Sequence, residues 1–277
     1  MKRLYILLTL LLAAASTMMA YVNYQSVVRE NVRWVCKAYV VNTFTGEVYK
    51  THYYSIELRG DSIINGKTYK KCYSKILFGE PFYEKPYYVL DFESCATALI
   101  RDENHVVEVF YNGELAEGHF NLYDFSNREQ SVKVYNYGPF ARTGVTKVGD
   151  YEAYEYEVDG GKIVEGVGYV SDSFGDLLDF GLIYRTGSGT QAFWGLCLLE
   201  DNSGRILYKG PLYNDYIAEL KRIADISGDG RVDVSDLSAA IDAAVGKTEN
   251  GKADVNCDGR VDIADVNTVV NVILNAR

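Results

Sequence analysis

The chain has 277 residues, 48% apolar and 13% aromatic, enough for one sizeable packed domain and a smaller one, which excludes wholesale disorder. Its net charge is −10, with no basic run longer than a few residues. Nucleic acid and anionic membrane surfaces both demand a positive face, so neither is expected as a partner.

The first element in chain order reads as an export signal over 1–20. Lys2 and Arg3 precede an apolar run over 4–15, and Ser16, Thr17 and Ala20 supply small residues for cleavage, after Ala15 or Ala20. The run falls short of the roughly 20 apolar residues of a membrane span. The expectation is therefore an extracytoplasmic protein (secreted, periplasmic or at the cell surface) with no membrane span after signal removal. Five cysteines follow, Cys36, Cys72, Cys95, Cys197 and Cys257. An odd number cannot pair completely within one chain, and their wide spacing holds no C-x-x-C, so neither a zinc nor a redox motif is indicated. Buried thiols and disulfides both stay open.

From 21 to 210 the pattern is one of β-branched and aromatic residues broken by turn dipeptides. Segments 33–41 and 47–58 read as strands about Thr45-Gly46. Asn65-Gly66, Asn112-Gly113 and Asp159-Gly160-Gly161 mark tight hairpins, because a type I′ turn needs positive φ at both central residues. The four prolines, Pro81, Pro86, Pro139 and Pro211, fall between strands. The spacing predicts a mainly β domain, an antiparallel sandwich or barrel. A connecting segment over 211–222 follows, within a helical pattern over 213–224 in which Tyr216, Leu220 and Ile223 share a face with Ile217 and Ala224 beside them.

The last element, over 223–277, is a repeat. Residues 225–236 and 254–265 align at a constant offset of 29, with Asp, Asp, Gly, Arg, Val, Asp and Asp recurring in register. Each segment places oxygen donors at loop positions one, three, five, nine and twelve and glycine at six. Calcium takes six to eight oxygens, and this is the EF-hand ligand plan. In the first loop Asp225, Ser227, Asp229 and Asp236 are expected to coordinate, with the Arg231 carbonyl and with Asp233 through water. The second loop offers Asp254, Asn256, Asp258, the Arg260 carbonyl, Asp262 and Asp265 in the same roles. Two calcium ions are therefore expected. Val232 and Val261 should pack the loops together. Leu237, Ala240, Ile241, Ala244 and Val245 then form an apolar helical face, repeated as Val266, Val269, Val270, Ile273 and Leu274. The acidic loops would repel one another without metal, so calcium should drive folding here.

Each loop is closed by aspartate rather than glutamate, and 246–252 before the second loop is no helix. This duplicated loop-then-helix unit resembles the type I dockerin over about a fifth of the chain, as a small all-α calcium-binding domain. The resemblance implies a C-terminal plug that docks onto a cohesin module and attaches a polysaccharide-degrading or glycan-binding protein to a scaffold. The chain departs from the clostridial pattern: Val234-Ser235 and Ile263-Ala264 stand where Ser/Thr pairs are usual, and Asp242-Ala243 and Asn271-Val272 where basic residues are. Calcium binding carries over, whereas recognition of a clostridial cohesin does not.

The β-rich part carries no catalytic signature. His52, His105 and His119 have no paired-ligand spacing, and Glu152, Glu155 and Glu157 alternate as on a strand with one wet face. Tyr53-Tyr54, Tyr87-Tyr88, Tyr135 and Tyr137, with Trp34 and Trp194, could build an aromatic platform for sugar rings or simply fill strand positions. Residues 60–73 and Leu122-Tyr-Asp-Phe125 give this part a weak resemblance to uncharacterised extracytoplasmic β domains of gut-type Bacteroidetes, which implies no activity. Three expectations follow: a non-enzymatic dockerin-bearing component that binds glycan or protein; a glycoside hydrolase with a dockerin; or a calcium-stabilised cap packed on its own β domain.

Overall fold

The computed structural model describes residues 22–79, 98–112, 117–135, 137–172, 190–256 and 259–275. The export signal, Pro81, Pro86, Tyr87, Tyr88, Cys95, Gly113, Cys257 and Asp258 lie outside the described residues.

The chain is mainly β. Eleven strands follow one another as an antiparallel meander: β1 Val32–Asn42, β2 Val48–Ile64, β3 Lys67–Gly79, β4 Ala98–Glu103, β5 Val106–Asn112, β6 Glu117–Asp124, β7 Ser131–Val134, β8 Tyr137–Val148, β9 Tyr151–Val158, β10 Gly161–Val164 and β11 Gly168–Val170. β12 (Thr190–Asp201) then returns to the far side of β1, and β13 (Ile206–Lys209) pairs with β12. Among the described residues the expected sandwich or barrel is thus one antiparallel sheet of 13 strands. The β2–β3 hairpin turns at Asn65 and Gly66 with φ of 50° and 77°, the positive values the dipeptide promises.

The sheet curls until its two ends meet. The Gly149 N–H, in the β8–β9 turn, donates to the Leu207 carbonyl of β13 at 2.7 Å, and the Leu196 N–H of β12 donates to the Ser171 carbonyl beyond β11 at 3.0 Å. Trp34 Nε1 reaches the Val167 carbonyl at 2.7 Å across the interior. Trp34, Tyr54, Tyr123, Phe125, Tyr156 and Tyr169 fill that interior, all fully buried. Within it the Arg128 guanidinium pairs with Glu165 through Nε and Nη2 at 2.7 and 2.6 Å, and Tyr156 Oη donates to the same carboxylate at 3.0 Å.

Three helices follow: α1 Tyr213–Ala224, α2 Val234–Ala244 and α3 Ile263–Asn275, with a single 3-10 turn at Gly251–Ala253. α1 lies on the outer face of the sheet, where Leu212 and Tyr216 are buried with Val35, Tyr53, Phe78, Cys197 and Leu198. β1, β2, β3 and β12 are therefore covered on both sides there. Adjacent residues such as Trp34 and Val35, or Tyr53 and Tyr54, point to opposite faces and are all buried. α2 and α3 enclose a second core of Ala224, Ile226, Ala240, Ala243, Ala253, Val255, Val266, Val269 and Val272, with Val232 and Val261 against it. The expected helical stripes are displaced: the buried line includes Ala243 and Val272, while Ile241, Val245 and Leu274 stay exposed. Two short helices crossing at small residues bury only a narrow line of each. Among the described residues no helix is long and apolar enough to cross a membrane.

Candidate functional site

Loop one starts where α1 ends. The Asp225 N–H donates to the Lys221 carbonyl at 3.0 Å, so the first loop residue caps the helix. Asp225 Oδ1 accepts from the Gly228 and Asp229 N–H groups at 2.8 and 3.1 Å, and Oδ2 accepts from Gly230 at 2.9 Å. Asp229 Oδ1 accepts from the Arg231 N–H at 2.9 Å. Asp236, in the first turn of α2 and 0% exposed, accepts from the Ser227 N–H on one oxygen and the Asp233 N–H on the other, both at 2.9 Å. Asp233 in turn accepts from the Ser235 N–H at 2.8 Å and hydroxyl at 2.7 Å, a reciprocal capping box. Those two bonds hold the Asp233 carboxyl below the usual carboxylate range.

Loop two repeats these contacts. Asp265, also 0% exposed, accepts from Val255 and Asn256 N–H groups at 2.8 and 3.0 Å on Oδ1 and from Asp262 at 2.9 Å on Oδ2. Asp262 accepts from Ala264 N–H at 2.8 Å, and Asp254 Oδ2 accepts from Gly259 N–H at 3.0 Å. The sixth-position glycines, Gly230 and Gly259, have φ of 83° and 82°. That left-handed bend is where a side chain would be strained, so the glycine is a backbone requirement. Offset by 29 residues, the two loops share the bonds from positions three and nine to the closing aspartate and the bond from the sixth-position glycine to the first aspartate.

Eleven of the twelve predicted ligand residues are described and sit in two tight turns, and four of them, Asp233, Asp236, Asp262 and Asp265, also start helices; Ser227 and Asn256 donate their N–H groups to the closing aspartates. Among the described residues, no three carboxylate, imidazole or thiol side chains converge closely enough to share an ion. The aspartates are turned onto N–H groups of their own loops. What sequence reasoning missed is the role of α1: it enters loop one directly, making the first half helix–loop–helix, a signal present in the apolar spacing that runs up to Asp225.

The other candidates disperse. Trp34, Tyr53 and Tyr54 are core, and Trp194 packs against it, whereas Tyr135 and Tyr137 are 44% and 58% exposed. No joint platform forms from the described members of that set. Glu152 and Glu157 are exposed, and Glu155 is tied to Lys162 at 2.8 Å; Glu155 and Glu157 line an open polar cleft of about 650 Å³ with Lys162 and Tyr208. His52 is buried, and burial lowers its pKa to about 4. His119 stands 3.1 Å from Glu108, and the His105 ring lies 4.2 Å from that of Tyr24. Cys36, Cys72 and Cys197 are buried, and burial pushes the Cys197 thiol far up.

No protein-family model matches the chain, and no curated protein matches it. Two solved structures align over most of their own length. A domain assigned to an outer membrane lipoprotein-sorting protein from Vibrio parahaemolyticus is 10% identical, with a TM-score of 0.21, over 68% of this chain and 90% of that one. A DUF1329 family protein from Desulfovibrio piger is 10% identical, with a TM-score of 0.20, over 64% and 87%. At such scores neither likeness bears on fold or activity.

Proposed function

We propose that this protein is an extracytoplasmic, non-enzymatic component whose residues 223–277 form a dockerin-type module that holds two calcium ions and carries its β-rich domain. The observation that carries the reading is the twice-built closing aspartate. Asp236 and Asp265 are carboxylates with no exposed surface, held by backbone N–H groups at loop positions three and nine, with the same glycine bend at position six. The donor set fits calcium: every contributing atom is oxygen, from Asp225, Ser227, Asp229, Asp233 and Asp236 with the Arg231 carbonyl, and from Asp254, Asn256, Asp258, Asp262 and Asp265 with the Arg260 carbonyl. A bound ion would neutralise the loops and tie each helix start to its loop.

Equivalent exposed apolar residues support a docking role. Val234 and Ile263 are 70% and 68% exposed at corresponding positions, with Val245 and Leu274 at another pair. A cohesin-type partner for this chain would therefore present an apolar face rather than the polar one its Ser/Thr-bearing counterparts meet. The β domain would supply a ligand-binding function, with glycan as the candidate ligand. A second reading, a cap on its own β domain, is favoured by Leu220 and Ile223 of α1, which touch both cores.

Calorimetric titration of calcium into chelator-stripped protein tests the proposal. Two sites per chain are expected, and one site or none would overturn it.

A further inference from the structure

α1 belongs to two structures at once. Its first half is an outer-face core element of the sheet. Tyr216 lies with its ring centroid 5.6 Å from that of Tyr53 and 5.8 Å from that of Phe78, stacked on the latter within 14°. The segment that leads into it is stitched to β12 by the Gly210 N–H to the Cys197 carbonyl at 2.8 Å and the Leu212 N–H to the Leu196 carbonyl at 3.2 Å. Lys37 of β1 reaches Asp215 at 2.7 Å. Its second half closes the small core: Ala224 is buried there, and Leu220 and Ile223 pack on both sides. The residue after Ala224 is Asp225, whose carboxylate organises the whole turn of loop one.

The opposite end of the small unit also touches the sheet. A cavity of about 180 Å³ is walled by Arg33 and Glu200 of the sheet, by Tyr216 and Leu220 of α1, and by Val255, Asn256, Thr268 and Val272. Asn256 is the third position of loop two. Arg33 and Glu200 form an ion pair beside it. So both loops abut groups that are part of the sheet or rigidly packed on it, one through a continuous helix and one through a shared wall.

We infer that the β domain is the intramolecular partner of the two loops, and that calcium occupancy sets the stability of the sheet through α1. The inference rests on the calcium reading of the loops. A helix anchored by buried aromatic rings cannot shift at its last turn without disturbing its first, because a 12-residue helix is a stiff rod and its packed face tolerates little displacement. An ion that orders loop one fixes the last turn of α1, and the energy of that ordering is shared with Tyr53, Phe78 and Leu198. In a freely tethered module the linker would absorb it.

The protein carries its own reporter. It has two tryptophans, Trp34 and Trp194, both in the sheet and none in the helices, so tryptophan emission follows unfolding of the β domain alone. Calcium binding is measured by calorimetry and the tryptophan melt is followed with calcium and with chelator. The melt is expected to rise by about 10 °C in calcium, the size for two sites at a hundredfold excess over Kd in a chain of this length. Tyr216→Ala, or the milder Leu220→Ala if the first fails to fold, should keep two calcium sites while the tryptophan melt stops following calcium. Tyr216→Phe should keep the coupling. Two calcium sites with a tryptophan melt that ignores calcium in the unaltered protein would overturn the inference and leave the calcium reading intact. Absence of calcium binding would overturn both.

Discussion

The closing aspartates allow a test that separates helix capping from metal binding. In Asp265→Asn one carboxylate oxygen becomes an NH2 group. Oδ1 serves the Val255 and Asn256 N–H groups and Oδ2 serves Asp262. With the amide oxygen kept on the first two, the Asp262 N–H faces another donor, and one partly buried donor loses its acceptor at a cost of about 1 kcal/mol. In Asp236→Asn the same count applies, since its oxygens serve Ser227 and Asp233 separately. The two variants should therefore lose similar stability in chelator, read from the helical circular dichroism of thermal melts. In calorimetry each should drop from two calcium ions to one, because an uncharged amide replaces the carboxylate that closes one loop. A variant that melts earlier by this amount and still takes two ions with unchanged affinity would refute the reasoning, and would leave these residues as caps alone.

Two further outcomes follow from the sheet. Burial holds the folded pKa of His52 near 4 against about 6.5 unfolded, so below about pH 6.5 the unfolded chain binds a proton that the folded chain refuses. Stability is full above that pH and falls by about 3 kcal/mol as pH drops toward 4; relative to the unaltered protein, His52→Phe should flatten urea midpoints over this window, and an identical profile would refute it. Arg128→Met strands the fully buried Glu165 and should cost about 3–5 kcal/mol, while Arg128→Met with Glu165→Leu should recover most of it, both read by urea unfolding. A double variant no more stable than the single would show that the pair is not what the site depends on.

How much of this was legible depended on how local the information was. The repeated turns were readable because the aspartate spacing, the glycine bend and the helix starts all lie within twelve residues of one another. The β2–β3 hairpin was readable for the same reason, from Asn65 and Gly66. The return of β12 to β1, in pairs such as Trp34 with Leu199, was not, nor was the closure it leads to at Gly149 with Leu207, because no local pattern announces a distant partner. The aromatic platform dissolved for a related cause. Tyr53 and Tyr54 look like a doublet with one wet side, but α1 covers that side, and α1 could not be placed on the sheet from its own periodicity. The helical stripes were displaced at Ala243 and Val272 because apolar content marks a face only coarsely, and the small residues at the crossing chose the buried line.

The capping boxes use only part of the carboxylates of each loop. Starting α2 needs Asp233 and Asp236, and starting α3 needs Asp262 and Asp265; a Ser or Thr with Glu would serve as well. Neither box calls for Asp225 and Asp229 in the first loop, or Asp254 in the second, at alternate positions before a glycine of positive φ. Four carboxylates within the twelve residues of loop one face a single cation of the same loop, Arg231. Such crowding opposes the compact turn by mutual repulsion and by burial of Asp236, which shows no exposed surface. Backbone N–H groups orient these carboxylates without cancelling their charge. A divalent cation would do both, and would do so at the very residue where α1 passes from the sheet into the loop.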